Sequence, residues 1–204
     1  MKRRRTAALA AIGALLAWSS VFAAADGSKL TLPPGTALAI VVFEDLQCPD
    51  CAQAHPLLVA AAATSKIPLI IHDFPIARHQ WAFPAAVLAR YFAAQSPVLG
   101  ADFRSFVFDN QKSINADNLR EYGERFAADH RLLLPPDVDP DGKFQAQVQA
   151  DFELGREIKL EYVPLIFVVG SGQGPSRAVE VTDPRKLAEA IARSVANAGS
   201  AGQR

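Results

Sequence analysis

Both cysteines of this 204-residue chain lie in one short stretch, Phe43-Glu44-Asp45-Leu46-Gln47-Cys48-Pro49-Asp50-Cys51. Before it, the continuously apolar run Ala37 to Phe43 is typical of a strand that is buried on both faces. After it, Ala52 to Lys66 is rich in Ala and Leu and long enough for a helix, and Ile67 to Asp73 is a second apolar run. The order strand, helix, strand predicts a βαβ unit with the cysteines at its first strand-to-helix junction.

This position gives the two cysteines different chemistry. A sulfur at a helix N-terminus faces free backbone N–H groups and the positive end of the helix dipole, which favour thiolate over thiol. Cys48 is therefore expected to be the reactive cysteine. Cys51 follows within one helical turn, so the pair can close and open a disulfide by thiol exchange.

Two alternatives compete with a redox role. A purely structural disulfide across so small a loop would restrain the unfolded chain little, which disfavours it. Zinc is the second alternative, because His55 follows Cys51 at a plausible ligand spacing. A structural zinc site usually needs four ligands, however, and the remaining histidines are scattered singly, so we expect no metal. These histidines are His72, His79 and His130.

The rest of the chain predicts a helical insertion followed by more sheet. Residues 74–164 are too many for a loop in a compact domain, and Phe144, Val148 and Phe152 repeat with helical spacing. A third apolar run, Leu165 to Val169, follows Pro164, and Arg177 to Val181 alternates as an edge strand does. Thr182-Asp183-Pro184 then opens a last helix, whose buried stripe is predicted to be Leu187, Ile191 and Val195.

Several of these segments resemble the DsbA-like thiol–disulfide oxidoreductases, which are thioredoxin folds with an inserted helical domain. The resemblance covers about residues 37–197 and rests on the cysteine stretch and on five further segments: His72-Asp73-Phe74-Pro75-Ile76 with His79 and Ala85-Ala86, Phe106 to Gln111, Asp151-Phe152-Glu153-Leu154-Gly155, Val163-Pro164 and Phe167-Val168-Val169-Gly170. It implies an α/β, thioredoxin-like fold with an inserted all-helical subdomain. Residues 26–75 and 157–204 would form the discontinuous thioredoxin-like domain, and residues 76–156 the insertion.

The same resemblance implies residue roles. Cys48 would be the nucleophile and Cys51 its partner. Pro164 would be a cis-proline facing the disulfide, and the backbone of Val163 would pair with an extended substrate peptide.

The chain departs from the family pattern close to the cysteines. Thioredoxin-fold enzymes often bury an acid six residues before the first cysteine, where this chain has Val42. Glu44 and Asp45 lie nearer the turn, and Asp45 is expected to serve mainly as a helix-entry cap. Asp50 stands where the best-known member has a histidine, and its charge should repel a Cys48 thiolate. Together with Pro49, these acids are candidates for tuning the redox properties.

The N-terminus predicts export. A basic segment, Lys2 to Arg5, precedes the apolar run Ala7 to Trp18 and the small residues Ala23-Ala24-Ala25, as in a cleavable signal peptide over residues 1–25. The apolar run is shorter than the ~20 residues that span a bilayer. We therefore expect a periplasmic or otherwise exported protein, in an oxidising compartment where disulfides persist.

Composition restricts the partners. The 21 basic and 21 acidic residues balance, and loss of the segment 1–25 leaves a net charge of −4, with no basic stripe for nucleic acid. The sequence predicts a monomer that needs no bound cofactor and exchanges disulfides with unfolded or partly folded exported proteins. A membrane or soluble redox partner would recycle it. Alternatives are a disulfide isomerase or reductase, and a non-enzymatic metal-binding or chaperone module on the same fold.

Overall fold

The computed structural model describes residues 25–171 and 177–201. The predicted signal peptide lies outside these residues except for Ala25. Within the described ranges, no helix combines the length and the apolar composition needed to cross a membrane.

A four-stranded mixed sheet forms the centre of the molecule, in the spatial order β2-β1-β3-β4. Its central strand β1 pairs parallel with β2, as the βαβ unit predicts, and antiparallel with β3, which pairs antiparallel with the edge strand β4. The strands are β1 Leu38–Glu44, β2 Leu69–Asp73, β3 Leu165–Gly170 and β4 Ala178–Glu180. The carboxyl end of β1 therefore leads directly into the cysteine stretch.

In the part of the chain that the structure describes, six α-helices surround the sheet, and four of them lie between β2 and β3, where the insertion was expected. They are α1 Pro49–Ser65, α2 Ala82–Gln95, α3 Pro97–Asn110, α4 Leu119–Asp129, α5 Lys143–Glu157 and α6 Leu187–Ala201. Side chains cap the N-termini of several helices. The Ser96 side chain accepts a hydrogen bond from the Val98 N–H at the start of α3. The Asp139 side chain accepts from the Phe144 and Gln145 N–H groups at the start of α5. Asp183 caps a short 3₁₀ turn, Pro184–Lys186, that leads into α6.

Each sheet face has its own core. Ile40, Val42 and Val168 pack against α1 and α6 on one face, while Phe43, Phe167 and Ile158 form the core on the other. In α6, Leu187 and Ile191 are buried as predicted. Val195 is 57% exposed and does not join the core that Leu187 and Ile191 enter, so this part of the predicted stripe is wrong.

A third core joins the insertion to the cysteines. Phe92 of α2, Phe103 of α3 and Phe126 of α4 meet with ring centroids 4.7 to 5.1 Å apart, and all three are buried. Cys48 and Cys51 belong to the same buried cluster. The inserted helices thus form one wall of the site.

Candidate active site

Cys48 and Cys51 lie at the start of α1, beyond the carboxyl end of the central strand β1. Cys48 is the N-cap residue, with extended backbone angles of φ −81° and ψ 122°, and Pro49 occupies the first helical position. A tight turn in which the Cys48 N–H donates to the Asp45 carbonyl (3.0 Å) brings the chain from β1 into the helix. Both cysteines are free thiols, with 6% and 1% of their surface exposed.

The surroundings of Cys48 favour its thiolate. A hydrogen bond from the Cys51 side chain is the main cause that lowers the pKa of Cys48 to about 6, and burial opposes it. The backbone N–H groups of Cys51 and Asp50 lower this pKa further, as expected at a helix N-terminus. The carboxylate that raises it is Asp45, while Asp50, whose side chain is exposed, contributes its backbone N–H.

Cys51 has the opposite environment. Burial strongly raises its pKa, and its hydrogen bond to Cys48 and the negative charges of Cys48 and Glu44 act in the same direction. Its sulfur accepts the Asp45 backbone N–H at 3.4 Å, which opposes the shift without reversing it. The environment thus favours the thiolate of Cys48 and the thiol of Cys51.

The loop before β3 reaches the cysteines. The Val163–Pro164 peptide bond is cis, as predicted, and the Cys48 thiol donates to the Val163 carbonyl at 3.8 Å. An open groove of about 630 Å³ runs from Asp50 past this loop to residues 182–185. Tyr162 lines the groove and is 49% exposed.

Asp45 has a different role from the expected helix-entry cap. No side chain caps α1, because the N-cap residue is Cys48. The buried Asp45 carboxylate accepts instead from the Gln47 and Ile76 N–H groups, both at 2.7 Å, and pairs with His79 at 2.8 Å. It fixes the turn before the helix and the segment that follows β2.

Glu44 begins a buried chain of charged groups that sequence reasoning missed. Arg104 of α3 donates to Glu44 at 3.1 Å and to Asp73 at 2.8 Å. Asp73 also binds Arg90 of α2 at 2.6 Å, and Arg90 binds Asp151 of α5. Burial opposes the ionisation of Asp73, but Arg104 and Arg90 outweigh it and lower its pKa below 3.8. The partners lie 17 to 61 residues apart along the chain, without a periodic pattern that could have indicated them.

Gln111 was also missed. Its side-chain amide, just beyond α3, donates to the carbonyls of Leu46 (2.9 Å) and Cys48 (3.1 Å) and so holds the cysteine turn from the insertion side. The sequence indicated Gln111 as the last residue of Phe106 to Gln111, a segment that resembles the family, but it did not predict this contact with the cysteine turn.

His55, the residue that raised the zinc alternative, makes contacts of a different kind from those of a zinc ligand. Its Nε2 hydrogen-bonds Ser105 at 3.0 Å, and its ring packs on Phe108. Among the residues that the structure describes, no three His, Cys, Asp or Glu side chains cluster as metal ligands do.

The fold and the site define a class: thioredoxin-like proteins with an inserted helical domain and a Cys-x-x-Cys pair at a helix start. Known structures agree with it. A variant of alpha-DsbA1 from Wolbachia pipientis matches with a TM-score of 0.65 at 18% identity, covering 86% of this chain and 98% of that one. The thiol-disulfide exchange protein alpha-DsbA2 from the same organism gives a TM-score of 0.61 at 17% identity, covering 79% and 83%. The oxidoreductase NmDsbA1 from N. meningitidis gives 0.60 at 16% identity, covering 86% and 90%.

Sequence comparison identifies the family. The profile described as Thioredoxin matches residues 34–182, and this chain belongs to the thioredoxin family. Its fold is that of the DsbA-type thiol–disulfide oxidoreductases. Comparison with curated proteins finds no match.

Proposed function

We propose that this protein exchanges disulfides with protein substrates through Cys48 and Cys51. The observation that carries the proposal is the contrast between the two sulfurs: the pKa of Cys48 is lowered to about 6, and that of Cys51 is raised. At neutral pH, Cys48 is then largely thiolate, which is the nucleophile and the good leaving group in exchange. Cys51 is withheld from solvent until Cys48 has reacted.

The oxidising reaction has two displacements. A substrate thiolate attacks Cys48 of the enzyme disulfide, a new S–S bond forms, and the electron pair of the old bond leaves with Cys51, which takes up a proton. A second substrate thiolate then attacks the bound substrate sulfur and expels Cys48 as a thiolate. The substrate loses two electrons and the enzyme gains them, so no organic cofactor is required. Run in reverse, the same steps reduce a substrate disulfide.

The loop at Val163 and Pro164 is the proposed peptide-binding element. It lies against Cys48 and borders the open groove, so an extended peptide lying there presents its cysteine to the sulfur. The substrates are unfolded or partly folded exported proteins with cysteine pairs. A redox partner, membrane-bound or soluble, restores the enzyme after each cycle.

The proposed compartment is the periplasm or another exported space. The predicted signal peptide over residues 1–25 supports export, and a reversible disulfide fits an oxidising compartment.

Trapping of mixed disulfides tests the function. Cys51→Ala should accumulate covalent complexes between Cys48 and disulfide-containing proteins, because the resolving thiol is missing. Cys48→Ala is the matched control and should trap none. Non-reducing electrophoresis with mass spectrometry measures both, and trapping by Cys48→Ala alone would reverse the assigned roles.

A further inference from the structure

Two buried polar atoms face each other next to the cysteines without a hydrogen-bond partner. Glu44 Oε2 and His55 Nδ1 lie 3.7 Å apart, and both atoms lack a partner in the structure. Their side chains are 1% and 6% exposed. An unpaired buried polar group costs about 1–3 kcal/mol, so this juxtaposition calls for a chemical explanation.

A proton between these atoms satisfies both of them. His55 Nε2 lies 3.0 Å from the Ser105 hydroxyl, and this hydroxyl also lies 3.3 Å from the Ala101 carbonyl. In the tautomer in which Ser105 donates to His55, Nδ1 carries the ring hydrogen and faces Glu44 with it. In the tautomer in which Ser105 donates to Ala101, Nδ1 is a bare lone pair that faces a carboxylate oxygen. One more proton, on Nδ1 or on Glu44, turns this repulsion into a hydrogen bond.

The other charged groups around Glu44 leave Oε2 available. Arg104 of α3 donates to Oε1, and Arg104 is shared with Asp73 of β2. Two further titratable groups, His55 and Cys51, face Glu44 from α1. The rest of the His55 ring contacts Ser105 and Phe108 of α3, which are uncharged.

The pair lies where the exchange reaction needs a proton. Cys51 and His55 are four residues apart on α1 and therefore on the same side of the helix. Glu44 is close enough for its charge to raise the pKa of Cys51. Cys51 is 1% exposed, so bulk water does not reach its sulfur, and Val42, six residues before Cys48, has no proton to give.

We propose that Glu44 and His55 hold the proton that Cys51 takes up when the Cys48–Cys51 disulfide opens and returns when it closes. In the opening step, the S–S electron pair leaves with Cys51, and the proton moves from the pair to that sulfur, directly or through one bridging water. In the closing step, the pair accepts the Cys51 proton as this sulfur attacks the mixed disulfide on Cys48. The inference rests on the proposed function.

Glu44→Gln separates proton transfer from structure. The amide oxygen still accepts from Arg104, and its N–H₂ group can donate to His55 Nδ1, but no transferable proton remains. His55→Gln removes the other half of the pair, and Glu153→Gln, an exposed change on α5, is the matched control. Reduced enzyme is mixed with oxidised glutathione, and acid-quenched mass spectrometry follows the mixed disulfide on Cys48 until Cys51 resolves it.

Both variants at the pair should lengthen the life of this mixed disulfide by about 100-fold at neutral pH, the usual range for loss of a general base. Their resolution rate should rise continuously with pH as hydroxide replaces the base, while the wild type and Glu153→Gln level off. Resolution at the wild-type rate, with an unchanged pH profile, would overturn the inference. A wild type in which both thiols stay reduced in the presence of oxidised glutathione would instead overturn the proposed function.

A direct measurement covers the case in which Glu44→Gln does not fold. In the disulfide form of wild-type protein labelled with ¹⁵N in the histidine rings and ¹³C in the glutamate carboxyls, NMR at neutral pH should find one proton on the pair. Reduction should move that proton to Cys51. A bare Nδ1 facing an ionised Glu44 in the disulfide form would refute the proposal.

Discussion

At the scale of single residues, the two sulfurs support each other. The pKa of Cys48 is lowered chiefly by a hydrogen bond from Cys51, and the same bond helps to keep Cys51 protonated. The asymmetry that Cys-x-x-Cys chemistry needs is therefore produced jointly, by one exposed helix end and one buried donor, rather than by either cysteine alone.

This dependence gives the first prediction. Cys51→Ala removes the largest cause that lowers the pKa of Cys48, so this pKa should rise from about 6 by about one unit or more. Cys51→Ser keeps a donor at the same place and should fall between the two. Thiolate absorbance at 240 nm, titrated against pH, measures all three proteins. A Cys51→Ala protein that still titrates near 6 would mean that the helix terminus alone sets the value.

The second prediction compares the two acids near Cys48. Asp45 is buried, and its charge raises the pKa of Cys48, whereas the Asp50 side chain faces solvent, where its charge is screened. Asp45→Asn should therefore lower the pKa of Cys48 more than Asp50→Asn does. A lower thiolate pKa favours the reduced form, so Asp45→Asn should also be the stronger oxidant in glutathione equilibration. If Asp50→Asn changed the pKa of Cys48 more than Asp45→Asn did, then Asp50 and not Asp45 would be the acid that mainly tunes this pKa.

At the scale of elements, α3 joins the insertion to the sheet and to the cysteine turn. Arg104 binds carboxylates from β1 and β2, and Gln111 holds the carbonyls of Leu46 and Cys48. Buried pairs of this kind contribute little net free energy, but they are costly to break on one side because a charge is left unpaired. The geometry of the site therefore depends on the docking of α3.

The third prediction measures this docking. Arg104→Met should lower the free energy of unfolding by about 3 kcal/mol or more at neutral pH. Arg193→Met, which loses an exposed pair with Glu189, should cost less than about 1 kcal/mol. Because the pKa of Asp73 is lowered from 3.8, its stabilising effect is complete above about pH 4 and is lost as the pH falls through the folded value. The difference in the free energy of unfolding between the wild type and Arg104→Met, measured by urea unfolding, should therefore become smaller at acid pH.

Local patterns predicted most of the elements and the cysteine site, because these depend on neighbours in the sequence. The apolar runs indicated the strands β1 and β3, and a strand-to-helix junction indicated Cys48 at the start of α1. The supports from Arg104 and Gln111 could not be predicted in this way, since each lies about 60 residues from its partner in the cysteine stretch or β1. The exposure of Val195 likewise depends on how α6 packs in three dimensions, which helical periodicity alone does not predict.

At the scale of the whole molecule, redox state and folding stability are coupled at one place. The sheet, the insertion and the Val163–Pro164 loop all meet at Cys48 and Cys51. A disulfide across this short loop adds little restraint to the unfolded chain, while the folded reduced protein stabilises a thiolate. The folded protein should therefore favour the reduced pair, which makes its disulfide an oxidant.

The last prediction follows from this coupling. We compare the free energy of unfolding of the reduced protein with that of the oxidised protein. The other titrating groups contribute about equally to both values, so their contributions largely cancel in the difference. The pKa of Cys48 is about 6 when folded and about 9 when unfolded, so this difference should be small below pH 6 and grow as the pH rises to about 9. Cys51 has the opposite effect on this stability difference, because folding raises its pKa. Its contribution to stability is complete below about pH 9. Above that pH the contribution is lost, because the unfolded chain releases the Cys51 proton before the folded protein does. Thermal unfolding of both redox forms across this range should give a maximum near pH 9. A disulfide form that is the more stable at neutral pH would contradict the stabilised thiolate and the oxidant role that depends on it.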